Sequence, residues 1–242
     1  MNTATHFKYE ILRTVRNRRL FAFSVALPCV IFLAIASSER NKYTEGISFP
    51  LYFMTGMAAY GCLFAAFSPG GRIALDRTKG WVRQVRATPL RGRAYFASKV
   101  LTSYLFAVPT LAVLYLAGVS LGVSLSAGEW LEMTGLLLVG LAPFVVMGLV
   151  LGHVIDADSL MPAVGGAVVF FALFGGAWGR FFTGGAMLTV TKLLPSYWLV
   201  QAGKAAVGSG DWPAEGWAVV AVWTAVLVPL AIFVYRRDAS RA

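Results

Sequence analysis

Phe49 to Ser68 reads FPLYFMTGMAAYGCLFAAFS, twenty residues without a charge. A run of that length matches the hydrocarbon core of a bilayer, which about 20 apolar residues cross as a helix. Five more such runs follow the same logic: Leu20–Ala36, Val100–Leu125, Met133–Leu151, Leu160–Gly176 and Trp217–Val234. The runs read as helical spans. The sequence therefore predicts an all-α integral membrane protein with six transmembrane helices, one domain over residues 1–242. The composition agrees: 58% of residues are hydrophobic and 13% charged, against about 25% charged in soluble domains.

Leu20–Ala36 follows a basic segment and ends in small residues, as a secretory signal does. Its seventeen residues exceed the usual apolar stretch of about 7–15, which favours a retained span.

The net charge is +10. In a soluble protein that would suggest nucleic acid, but no soluble basic domain is present to bind it. In a membrane protein Lys and Arg first report orientation, being retained on the cytoplasmic side. Five precede the first run, eight lie between Arg72 and Lys99 and three end the chain, sixteen of the 21 in all. With six spans these segments share one face, which predicts cytoplasmic termini and a cytoplasmic loop over residues 70–98. Cys29 and Cys62 sit inside apolar runs and read as packing residues.

Three segments lie outside the runs. Residues 6–19 place Phe7, Ile11, Leu12 and Val15 on one helical face and Lys8, Arg13 and Arg16 largely on the other. That pattern suits a helix lying along the membrane surface or a basic flank of the first span. Residues 177–216 are semi-apolar, Gly-rich and interrupted by Arg180, Lys192 and Lys204. They predict a re-entrant or interfacial pair of short helices on the outer face. The third segment, DRTKGWVRQVRATPLRGR from Asp76 to Arg93, carries six basic residues and one acid. Lys79, Arg83 and Arg86 recur at helical spacing, with Trp81, Val82 and Val85 on a second face. Thr88-Pro89 should end this short helix, because the residue before proline is pushed out of helical geometry. Attraction to anionic lipid explains the charge of such a loop. It does not explain the Trp, the Val face or the Thr-Pro stop.

DRTKGWVRQVRATPL followed by AYFASKVL resembles the acidic-Arg-x-x-Gly, Leu-x-x-Thr-Pro-Leu, Lys pattern of type 2 ABC exporter permeases, and LLPSYWLVQA and YRRD match two later landmarks. Asp76 stands where that family usually has Glu, and Val85-Arg86 where it often has two leucines. The resemblance implies that Lys79, Trp81, Val82, Arg83, Val85, Arg86, Thr88 and Pro89 form a coupling helix docking on a separate ATP-binding subunit, and that residues 6–19 form a connecting helix. It also implies a dimer with a second permease copy or homologue, and outward movement of an amphiphilic drug, antibiotic or lipid across a bacterial inner membrane. No stretch matches G-x-x-x-x-G-K-[ST], so ATP and Mg belong to the partner and no cofactor is expected on this chain.

In that family the second and fifth spans line the central cavity, and polarizable, adaptable side chains suit such a surface. The substrate-path candidates are therefore Phe53, Met54, Met57 and Phe64 in the second span and Phe170, Phe171 and Phe174 in the fifth. His153, Asp156 and Asp158 in HVIDAD offer no fourth ligand and read as a solvated turn in preference to a metal site. Glu129 and Glu132 read as interfacial, and Arg180 as snorkelling outward or paired with an outer acid. An intramembrane lipid-modifying enzyme is the alternative reading. It would require clustered acids or a His-Asp pair at a water-accessible depth, for which only the Asp156-Ala-Asp158 stretch qualifies.

Overall fold

The computed structural model describes residues 18–78, 92–209 and 211–241. Along the chain these form α1 (Arg18–Ser38), a two-stranded hairpin of β1 (Tyr43–Thr44) and β2 (Ile47–Ser48), and α2 (Phe49–Thr78). Then come α3 (Gly92–Ser120), α4 (Ala127–Gly140), α5 (Ala142–Val154), α6 (Ala157–Gly175), α7 (Gly185–Lys192), α8 (Pro195–Lys204) and, after a wide turn at Ala205–Ser209, α9 (Ala214–Arg241).

The protein is an all-α membrane protein apart from the hairpin. Five described stretches are long and apolar enough to cross a bilayer: Phe49–Leu75, Phe96–Ser120, Ala127–Val154, Ala157–Gly175 and Ala214–Arg237. The apolar part of α1 among the described residues, Val25–Ser38, is shorter. α4 and α5 together make one such stretch, broken at Leu141. The break falls there because Pro143 opens α5 and brings no N–H to continue the α4 ladder.

α2 runs through the centre, packed against α1, α3, α5, α6 and α8. Lipid supplies no hydrophobic drive between helices, so close approach depends on small residues. The α2–α5 crossing shows this most clearly. A Cβ on Gly70 would lie 2.4 Å from the Gly148 carbonyl oxygen, and one on Gly152 would lie 2.6 Å from the Gly70 oxygen. Gly148 and Gly152 are four apart on α5, a G-x-x-x-G spacing, and they let the two backbones touch.

α2 and α3 are longer than the apolar runs suggest. The expected loop 70–98 narrows, because α2 stays helical through Pro69 to Thr78 and α3 begins at Gly92. Charge marks the loop's edges in the sequence, yet Arg72 is buried beside the Phe106 ring at 5.7 Å and Lys99 is buried as well. These cations extend the helices because protein surrounds them. Residues 79–91, and with them all eight expected coupling-helix positions, lie outside the described residues, as does the amphipathic segment up to residue 17.

Candidate functional site

The end of the molecule that bears the basic segments is built from the last turns of α2, α5 and α9 and the first of α3. Arg77, near the end of α2, directs Nη1 at the carbonyls of Gly152 (3.5 Å) and Ile155 (3.4 Å). These belong to the C-terminal turn of α5, whose carbonyls have no helical partner and favour a cation. The segment that precedes residues 79–91 is thus fixed to the α5 terminus. His153 lies within this end and not in a solvated turn. It is buried, its Nδ1 is 2.8 Å from the Leu149 carbonyl oxygen, and its ring stands 6.2 Å from Phe96 and 5.7 Å from Tyr235. Asp156, at the N-cap of α6, and Asp158, in its first turn, are both exposed.

The substrate-path candidates separate into two groups. Phe53, Met54 and Met57 are buried within the chain, Phe53 stacked between Phe32 and Phe49. α2 is enclosed by other helices, so these side chains touch only the same chain's residues here. Phe64 is partly buried, edge-on to Tyr60 at 5.2 Å. On α6 the three phenylalanines do come together. Phe171 packs inward on Phe67 and Phe144, while Phe170 is 45% exposed and lies 4.6 Å from Phe174, which stacks in turn on Phe182. Phe170, Phe174 and Phe182 form an aromatic row along α6 and just beyond it.

At the opposite end three segments distant in sequence meet. The hairpin turn is Glu45-Gly46, both residues at positive φ (55° and 82°), as a two-residue type I′ turn demands. Glu45 accepts from Arg180, just after α6, at 2.5 Å, and lies 3.5 Å from the Lys204 ammonium at the end of α8. Lys204 is almost wholly buried and sits 4.0 Å from the centre of the Tyr52 ring. Burial pulls its pKa below the usual lysine value, Glu45 opposes that, and the neighbouring Arg180 adds to it. Arg180 is therefore paired with an acid, Glu45 of the hairpin between α1 and α2. Nothing in the sequence singles out Glu45, Lys204 and Tyr52 as a group, because no local spacing links them.

α8 enters this end as a buried ten-residue helix, about 15 Å long, half the bilayer core. Trp198 and Trp223 donate from Nε1 to the Lys192 and Leu193 carbonyls, at 2.7 and 2.9 Å, and so hold the turn between α7 and α8. Glu129 acts locally, forming with Ser126 a reciprocal capping box at the start of α4, a pairing that the S-x-x-E spacing announces.

Glu45→Gln is expected to destabilise the protein by about 1–3 kcal/mol, since it leaves the buried Lys204 charge without its acid. The carboxylate is about a third exposed, which keeps the loss below that of a fully buried pair. Lys204→Met removes the buried charge together with the pair and should cost less. Thermal melting of both variants in detergent checks the order.

No protein-family model matches the chain. It is 24% identical over 207 residues to the Bacillus subtilis (strain 168) protein named "Putative transport permease YvfS", an alignment covering 84% of this chain and 81% of that one. Over most of its length, the chain is similar to a bacterial protein named as a transport permease.

Proposed function

We propose that this chain is the membrane permease subunit of a type 2 ABC exporter, carrying an amphiphilic substrate outward with energy from ATP hydrolysed on a separate subunit. The observation that carries this reading is the likeness to a transport permease over 84% of the chain, joined to the order of the landmarks around residues 76–99, 193–202 and 235–238. α1 serves as the first of six spans, its apolar part completed by Leu20 to Ser24. Both termini and the segment 79–91 face the cytoplasm, because sixteen of the 21 basic residues fall on that side. Trp81, Val82 and Val85 present the apolar face of the coupling helix to the ATP-binding subunit, with Lys79, Arg83 and Arg86 beside them. A second permease faces α6, and the Phe170–Phe174–Phe182 row offers the substrate a polarizable surface.

Inverted membrane vesicles holding the permease and an ABC-type ATP-binding subunit of the same organism test the direction. ATP-dependent uptake of one or more members of a panel of amphiphilic fluorophores is expected, abolished when the ATPase is inactivated. Uptake that proceeds equally without ATP contradicts the reading.

A further inference from the structure

Away from the central helix, α3, α5 and α9 leave a groove of about 510 Å³ between them, within the range of about 300–1,000 Å³ typical of small-molecule sites. Its long wall is one face of α9. Val228, Ile232 and Arg236 succeed one another at intervals of four, spanning about 12 Å along the helix axis. Leu149 of α5 and Val100 of α3 close the other sides. At the Arg236 end stand Tyr235 and Phe96, which pack edge to face at 4.9 Å. Val228 and Ile232 are 40% and 42% exposed, so the groove opens laterally onto the surface that α9 turns toward lipid. Among the described residues the lining is apolar along its length, cationic at one end, and contains no acid.

Arg236 lies in the last turn of the membrane-length stretch Ala214–Arg237, the depth at which phosphate groups of the bilayer begin. Basic pockets between membrane helices at that depth are suited to anionic headgroups. A second copy of this net-basic chain would have to bring an acid to Arg236, whereas an anionic lipid brings its charge at one end and an apolar chain behind it. We propose that the groove between α3, α5 and α9 binds an anionic phospholipid, the phosphate at Arg236 and one acyl chain along Ile232 and Val228. The site requires only that the chain resides in a membrane and stands whether or not an ATPase drives it.

The full chain, purified in detergent, is mixed with phosphatidylglycerol or with phosphatidylcholine of the same acyl chains, and retained lipid is counted by native mass spectrometry. Phosphatidylglycerol should be favoured about fivefold, the effect of one basic residue near a headgroup. Arg236→Gln should bring it to the phosphatidylcholine level, and Arg236→Lys should keep most of the preference. Ile232→Trp, which fills the groove at a partly exposed position, should lower retention of both lipids. Lys192→Gln, at an exposed cation elsewhere, should leave retention unchanged. Equal retention of the two lipids by the wild type overturns the site, as does an Arg236→Gln profile matching wild type, or an equal loss in Lys192→Gln. Should Arg236→Gln not purify, unaltered retention in monodisperse Ile232→Trp protein overturns it alone.

Discussion

Trp81→Ala is expected to lower recovery of the ATP-binding subunit with the purified permease by about tenfold or more, with a matching loss of permease-dependent ATP hydrolysis. A tryptophan anchoring an interface commonly carries about 2 kcal/mol or more, and each 1.4 kcal/mol is about tenfold in affinity. Arg86→Glu should do likewise by reversing a charge at a contact of complementary sign. Both variants should reach the membrane in normal amounts, because the apolar spans are untouched and other basic residues between Arg72 and Lys99 remain. Arg91→Gln and Arg93→Gln, beyond the Thr88-Pro89 stop, should be close to wild type. Were the loop only an attractor of anionic lipid, each basic residue would contribute a similar increment of about 1 kcal/mol. Equal and mild losses at Arg86, Arg91 and Arg93, with none at Trp81, would remove the coupling role.

Gly152→Leu should leave little monodisperse protein. A Cβ at position 152 meets the Gly70 oxygen at 2.6 Å and the Gly70 Cα at 2.7 Å, and one at position 148 meets the Ala66 oxygen at 2.7 Å. Backbone cannot step aside as a flexible side chain can, so α2 and α5 must part. Overpacking costs about 1–3 kcal/mol where side chains can adjust, and more is expected here. The central helix would lose its contact with the element whose last turn holds Arg77. Gly135→Leu on α4 is the matched control, since a Cβ there meets nothing within 4 Å. Gel filtration of the two variants after equal membrane insertion checks the expectation. Equal profiles would mean that the α2–α5 crossing is not a determinant of the fold.

Five of the apolar runs coincide with membrane-length helices, because a span is dictated by a local property, the transfer of each residue into hydrocarbon. What depends on a neighbour is less legible. Pro69 and Arg72 look like the end of a span, yet α2 continues past both, since Phe106 and the surrounding helices house the guanidinium. The Gly148–Gly152 spacing is visible in the sequence and marks the tightest use of small residues at the α2–α5 crossing, but its partner Gly70 is 78 positions away from Gly148. Glu45, Arg180 and Lys204 meet only after the hairpin, α6 and α8 are in place, and no periodicity connects them. Met54 and Met57 show the converse limit. Helical spacing identifies residues that share a face, and it does not say whether that face meets a substrate path or another helix. His153 reads as solvated because charged neighbours follow it, whereas the α5 register turns it inward onto Phe96 and Tyr235.

The central claim is that this chain works as a membrane partner of a separate ATPase. It is tested most directly by reconstituting the wild-type chain and an ABC-type ATP-binding subunit of the same organism into liposomes and measuring ATP hydrolysis. A stable complex whose hydrolysis is vanadate-sensitive and rises several-fold over that of the ATPase alone is the predicted result. Hydrolysis unchanged by the permease, with no complex recovered from the liposomes, would contradict it.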